Sequence, residues 1–324
     1  MIEKIDISII LVTYNSDWEK IKMTLLSILK QKDVSMQIIV ADEGSKMTFD
    51  SEINDLMKEN GFDNCLILDS PLNRGTVLNI ANAVKYAKGS YTKTIAPGDC
   101  LFDADTFFSW LSFMKEDSVE VSFGDAVYFS RNEKIKLYAT KGSPANRDIY
   151  KSKRCSSRCS SKQFVDYVVA NDTILGAAQL MKTDVLAKYL DIIQNKVVYA
   201  EDYMIRIMIY DGIDVRYYPH IVIWYEYGTG ISTSKDDKWE KLLHNDFEMS
   251  NSLISKRDSC TYMQKKYKAY LKMREIGHLR KISKILIFPS VVLYRIYARF
   301  VPKKILLGSQ EYAKIEHMFY WYEQ

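Results

Sequence analysis

Between residues 8 and 96 the chain alternates short, continuously apolar runs with longer stretches whose apolar residues recur every three or four positions. Ser8 to Val12, Gln37 to Ala41, Cys65 to Leu68 and Tyr91 to Ala96 are the short runs. Their length and β-branched content predict strands buried on both faces. The longer stretches place Trp18, Ile21, Leu25, Ile28 and Leu29 on one helical face, Ile53, Leu56 and Met57 on a second, and Val77, Ile80, Ala81, Val84 and Ala87 on a third. Ser16 with Glu19 reads as a capping box before the first helix, and Asn60-Gly61 as a C-cap ending the second.

Strand–helix–strand alternation with short links requires right-handed crossovers, hence a parallel sheet with helices on both faces. Ligands of such sheets bind beyond the carboxyl ends of the strands. The segments at those ends are Thr13-Tyr14-Asn15, Asp42-Glu43-Gly44-Ser45, Asn73-Arg74-Gly75 and Pro97-Gly98-Asp99. The turn after the first strand holds no glycine, which excludes a dinucleotide fingerprint, and no P-loop sequence occurs.

Composition narrows the class. With 324 residues, 47% hydrophobic and 27% charged, the chain has the make-up of a globular protein that builds a core without staples. Five scattered cysteines predict a reducing compartment. The apolar run behind the N-terminus is one strand long, too short for a signal peptide. Ile285 to Tyr294 is interrupted by Pro289 and closed by Arg295, well short of the roughly 18 apolar residues a spanning helix needs. The expectation is a cytoplasmic protein, with peripheral contact to the inner face of the membrane left open.

Six stretches, in order, carry a family resemblance: IILVTYN (Ile9 to Asn15), IIVADEGS (Ile38 to Ser45), NRGTVLNIANAVKYAKGSY (Asn73 to Tyr91), TIAPGDCLF (Thr94 to Phe102), GAAQLMKTDVL (Gly176 to Leu186) and AEDYMIRIMIYDG (Ala200 to Gly212). Together they resemble the inverting family 2 glycosyltransferases with the GT-A fold, over roughly residues 5–235. The resemblance implies an α/β, Rossmann-like, mostly parallel central sheet flanked by helices. It implies a GT-A domain at 1–245 and a helical, basic extension at 246–324.

It also implies roles. Thr13, Tyr14, Asn15, Asp42, Gly44, Ser45, Asn73 and Arg74 would bind the nucleotide, with Asp42 accepting the ring N–H of uracil or thymine and Tyr14 offering a flat face. Asp42 equally suits a cap on the turn that follows it. Arg74 would stand in for an arginine the family carries in the next helix, where this chain has Ile80, and pair with the diphosphate or with Asp42. The family's Asp-x-Asp metal motif is reduced here to Ala96-Pro97-Gly98-Asp99. Asp99 either holds Mn²⁺ or Mg²⁺ nearly alone, or cationic side chains share its task, or catalysis is impaired. Glu201-Asp202 would begin a helix, where acids are favoured by the backbone dipole whatever their function. The resemblance makes Asp202 the general base and Glu201 the group that orients acceptor or base. Trp224 and Tyr225, with the glycine-containing stretch to Gly230, would line the acceptor side or simply pack.

The net charge of +4 hides two basic blocks. Residues 141–163 carry a net +6 in a serine-rich stretch that is either a lid over the donor diphosphate or pyrophosphate-linked acceptor, or a solvated loop. Cys155 and Cys159 within it lack the second pair a zinc site needs. Residues 256–304 carry a net +12 interleaved with Ile282, Ile285, Leu286, Phe288, Val291, Leu293, Ile296 and Phe300. Such helices lie on anionic membrane surfaces, or pack on the catalytic domain or on a second copy of the chain as a homodimer. No binding motif accompanies the charge, so no nucleic-acid partner is expected. Of the four histidines, only His220 falls near the expected site segments.

The expected function is transfer of a sugar from a UDP- or dTDP-sugar to a hydroxyl of a growing bacterial surface glycan, such as capsule, carried on a polyprenyl pyrophosphate. Ala96-Pro97-Gly98 keeps open a non-catalytic glycosyltransferase-like subunit. A sugar nucleotidyltransferase would need a glycine-rich basic loop where Thr13-Tyr14-Asn15 stands.

Overall fold

The structure, a computed structural model, describes residues 4–129, 143–151, 161–226, 237–276, 279 and 282–301. The strands are β1 (Ile7–Thr13), β2 (Met36–Asp42), β3 (Cys65–Asp69), β4 (Tyr91–Ile95), β5 (Cys100–Leu101), β6 (Val121–Phe129), β7 (Gln179–Lys182) and β8 (Val215–Glu226). They form one sheet in the order β3-β2-β1-β4-β7-β6-β8-β5. The β3-β2-β1-β4 half is parallel, as the alternation predicts. β7 runs antiparallel to both β4 and β6, while β8 pairs parallel to β6.

Ten α-helices are described: α1 (Trp18–Leu29), α2 (Asp50–Glu59), α3 (Thr76–Ala83), α4 (Thr106–Glu116), α5 (Thr183–Ile193), α6 (Met204–Asp211), α7 (Asp237–Ser255), α8 (Tyr262–Glu275), α9 (Ser283–Ile287) and α10 (Ser290–Phe300). The pleat of β1 sends Ile9 and Leu11 to a core shared with α1, α2 and α4, through Leu25, Ile53 and Trp110. It sends Ile10 to the opposite core, built with α3, α5 and α6 through Ile80, Leu190 and Ile205. Leu253, Tyr267, Phe288 and Val291 join that second core, so the C-terminal helices are packed on the sheet's helical layer.

Local expectations shift in three places. α1 begins at Trp18 with Asp17 at its N-cap and no side-chain cap, so Ser16 lies one residue too early for a capping box. A capping box does form at α8, where Thr261 and Gln264 bond each other's backbone N–H. The third apolar stripe is α-helical only to Ala83 and then tightens into a 3-10 turn at Val84–Tyr86. The boundary expected at residue 245 falls inside α7.

Candidate functional site

The carboxyl ends of β1 and β2 lock together through one acid. Asp42, the last residue of β2, accepts the Thr13 hydroxyl on Oδ2 at 2.8 Å. The same oxygen accepts Ser45 Oγ–H at 2.5 Å, and Oδ1 accepts the Ser45 backbone N–H at 2.7 Å. Ser45 Oγ in turn accepts the Asn15 N–H at 2.7 Å, and Asn15 Oδ1 accepts the Lys46 N–H at 3.0 Å. Asn15 holds φ +47° and Gly44 φ +75°, both left-handed. Asn tolerates that region, and Gly44 needs it, because a Cβ there would sit 3.1 Å from the Leu72 backbone. Asp42 is buried, whereas Tyr14 is 49% exposed, its ring presented to solvent. Asp42 therefore caps its turn and also borders a cavity with Thr13, Ser45 and Asp69.

The loop after β3 joins this floor. Glu43, itself buried, accepts the Arg74 N–H at 2.9 Å. Burial raises its pKa, and the Arg74 and Gly75 backbone bonds and the Arg74 charge oppose that rise. The charge of exposed Arg74 thus acts on Glu43. Asn73 Oδ1 accepts the Gly75 N–H at 3.1 Å. Gly75 has φ +103°, and a Cβ on it would lie 2.4 Å from Val198 Cγ1. That close approach, with Val77 N–H donating to the Val198 carbonyl at 3.1 Å, ties this loop to the segment before Glu201.

Glu201–Tyr203 form a single 3-10 turn ahead of α6, which ends at Gly212 in the left-handed conformation. The turn is held by Asp246 of α7, which accepts the N–H groups of Val198 at 3.0 Å, Tyr199 at 2.9 Å and Ala200 at 3.1 Å. Glu201 and Asp202 are both raised above the ordinary carboxylate range. Burial is the first cause for each; the neighbouring Asp202 charge adds for Glu201, and Asp246 adds for both. Lys93 opposes the rise at Glu201, and backbone bonds and Arg206 oppose it at Asp202. Asp202 opens on a cleft of about 390 Å³ that it lines with Tyr167, Asn171, Thr173, Arg206 and Phe247. Arg206, one helical turn on, is buried over the Phe247 ring at 4.5 Å and donates to Asn171, Asn251 and Tyr267, each at 3.0 Å.

The end of β4 is also charged. Lys93 in mid-strand is fully buried, and its ammonium donates to the Thr94 carbonyl. Burial pulls its pKa down to about 8, against the attraction of Asp99 and Glu201. Asp99 is pushed up to about 7, chiefly by burial, while Oδ1 accepts the Glu226 N–H at 3.0 Å. The Glu226 carboxylate pairs with Lys20 at 2.7 Å. Among the described residues, no three His, Cys, Asp or Glu side chains are grouped to hold a metal ion. Asp99 and Glu226 both face ammonium groups, a donor set that does not fit a divalent cation.

The expected aromatic side differs. Trp224 is fully buried, stacked on Phe102 at 5.0 Å with its indole N–H donated to the Phe102 carbonyl at 3.0 Å. Its ring lies in a core cluster with Met23, Cys100, Val127 and Phe129 and is closed to solvent. Tyr225, on the other face of β8, is partly exposed and meets Tyr128 edge-on at 5.0 Å. The stretch Tyr227 to Gly230 lies outside the described residues. His220 sits exposed beside the Tyr218 ring. Of the basic block at 141–163, Ile149 and Tyr150 are buried and Arg147 pairs with Asp125 at 3.2 Å. Cys155 and Cys159, with 152–160 as a whole, lie outside the described residues, as do His278, His317 and 302–324.

Hydrogen bonds thus join Thr13, Asn15, Asp42 and Ser45, the Asn73–Val77 segment leads from there to Val198 ahead of Glu201 and Asp202, and Lys93 interacts electrostatically with both Glu201 and Asp99. Lys20, Lys93, Arg206, Glu226 and Asp246 were not legible as site residues. Lysine in the middle of an apolar strand is the one signal that singles any of them out, since a buried ammonium needs partners.

A sequence profile described as Glycosyl transferase family 2 matches residues 8–167. No curated protein sequence matches the chain. Among solved structures, S. aureus TarS is similar at 13% identity and TM-score 0.52, over 84% of this chain and 44% of TarS. This chain therefore spans less than half of that protein. Residues 1–349 of S. aureus TarS in complex with UDP-GlcNAc match at 14% identity and TM-score 0.53, over 92% of this chain and 82% of that one. The mannosyltransferase PcManGT from Pyrobaculum calidifontis, in complex with GDP-Man and Mn2+, matches at 10% identity and TM-score 0.55, over 100% and 82%. These likenesses show the fold. With the profile match, residues 8–167 carry a Glycosyl transferase family 2 region, set in a GT-A fold.

Proposed function

We propose that this glycosyltransferase is inverting and moves a sugar from a UDP- or dTDP-sugar to a hydroxyl of a growing, lipid-linked bacterial surface glycan. The observation that carries the donor assignment is the Asp42 carboxylate, held rigid by Thr13 and Ser45 at the end of β2, beside exposed Tyr14. A preorganised carboxylate suits the ring N–H of a pyrimidine, and the tyrosine offers a stacking face. The similar structures that hold UDP-GlcNAc and GDP-Man support a nucleotide-sugar donor.

Chemistry falls to the acid pair. Asp202 borders an open cleft and takes the acceptor hydroxyl proton as its oxygen attacks the anomeric carbon. The bond from that carbon to the diphosphate oxygen breaks with its electron pair leaving on the diphosphate. The displacement is in line through an oxocarbenium-like transition state, so the anomeric configuration inverts. Glu201, linked electrostatically to Lys93, orients the acceptor or the base.

No helix among the described residues is long and apolar enough to cross a membrane. Leu286 (60%), Leu293 (70%) and Phe300 (81%) are exposed on α9 and α10, with Arg295 and Arg299 exposed among them. That combination supports peripheral binding to an anionic surface on the cytoplasmic side, which would bring the enzyme to a lipid-linked acceptor. Calorimetric titration with UDP and dTDP, in wild type and Asp42→Ala, tests the donor reading.

A further inference from the structure

Where the family places metal-binding acids, this chain has built something else. Gly98 has φ +100°, and a Cβ on it would lie 2.2 Å from Glu226 Oε2. The glycine therefore leaves room for a carboxylate arriving from the end of β8, and an acid at position 98 would collide with it. Glu226 is 6% exposed and is paired at 2.7 Å with Lys20, in the first turn of α1. Lys20 is itself tied to this segment, its carbonyl accepting the Gly98 N–H at 3.3 Å. α1 begins at Trp18, shortly after Thr13-Tyr14-Asn15, and the Gly98 N–H bond to the Lys20 carbonyl brings Lys20 beside the Asp99 segment.

Charge decides what this arrangement admits. Asp99 interacts with Lys93 and Lys20, and Glu226 with Lys20. The two ammonium groups beside Asp99 and Glu226 offset their negative charge and repel a hard divalent cation, which requires an excess of it. The Lys20 side chain is 19% exposed. An ammonium has three N–H donors, and the Glu226 contact leaves others for a phosphate oxygen.

We infer that Lys20, anchored by Glu226 over Gly98, takes the place of the divalent cation, so that this chain binds a nucleoside diphosphate without metal. The inference rests on the nucleotide reading of the Asp42 end. It is tested by calorimetric titration of uridine and of UDP into the full chain, first in EDTA and then with Mn²⁺ in its place. UDP is expected to bind equally well under both conditions. Lys20→Met should weaken UDP by about tenfold or more, as loss of a charge-assisted phosphate contact does, while uridine affinity stays unchanged. The double variant Lys20→Met/Glu226→Gln, which removes the buried negative charge together with the ammonium, should behave alike. A rise in UDP affinity of about tenfold on adding Mn²⁺, or full UDP affinity in the double variant, overturns the inference. Failure of both uridine and UDP to bind overturns the nucleotide reading and this inference with it, an outcome distinct from metal-dependent UDP binding.

Discussion

Asp246, in a helix beyond the matched family region, accepts the backbone N–H of Ala200, the residue immediately before Glu201, at 3.1 Å. With its bonds to Val198 and Tyr199, it fixes the path of the chain into the acid pair from one buried carboxylate. Removing it leaves three backbone donors to find new partners. Asp246→Ala should lower stability by about 2–4 kcal/mol, measured by denaturant unfolding, and reduce transfer further than the stability loss explains. A variant as stable and active as wild type would detach α7 from the site.

The same carboxylate bears on pH. Burial and the Asp246 charge hold the Asp202 carboxyl above its ordinary value. A base must be deprotonated to act, so transfer should fall as pH drops through that raised pKa, well above the ordinary Asp value of about 4. Asp246→Asn removes a negative neighbour and should move the acidic limb of the kcat/KM profile to lower pH. Asp202→Asn should abolish transfer yet leave UDP affinity unchanged by calorimetry. Turnover retained in Asp202→Asn would assign the base elsewhere.

The alternating half of the fold was legible because each strand and helix carries its own local pattern, and the strand ends Thr13 and Asp42 followed directly from it. What escaped are contacts that sequence proximity does not encode. Glu226 reaches Asp99 across 127 residues and Asp246 reaches Ala200 across 46. An aromatic stretch leaves both acceptor lining and simple packing open for Trp224, and the ring packs in the core beside Phe102. Its replacement should therefore read as stability. Trp224→Ala should cost about 3–5 kcal/mol in denaturant unfolding, while Tyr225→Ala, on the partly exposed face, should cost less.

The exposed apolar residues of α9 and α10 are a second place where structure refines expectation. Cutting the chain near Lys256 would remove Tyr267, Phe288 and Val291 from the core, confounding membrane binding with unfolding. Leu293→Glu/Phe300→Glu instead alters only the exposed face. Wild type should sediment with vesicles containing anionic phosphatidylglycerol and not with neutral phosphatidylcholine alone, and the double variant should remain in solution. Wild type that never sediments with anionic vesicles contradicts the peripheral reading.

Asp42 is the group proposed to read the base. Its carboxylate is already oriented by Thr13 and Ser45, so little reorganisation is needed on binding. Titrating UDP calorimetrically into wild type and Asp42→Ala is the most direct test. We predict saturable binding to wild type and its loss in Asp42→Ala, with the variant still folded by circular dichroism. Equal UDP affinity in both proteins, or no binding to wild type of either UDP or dTDP, would contradict it.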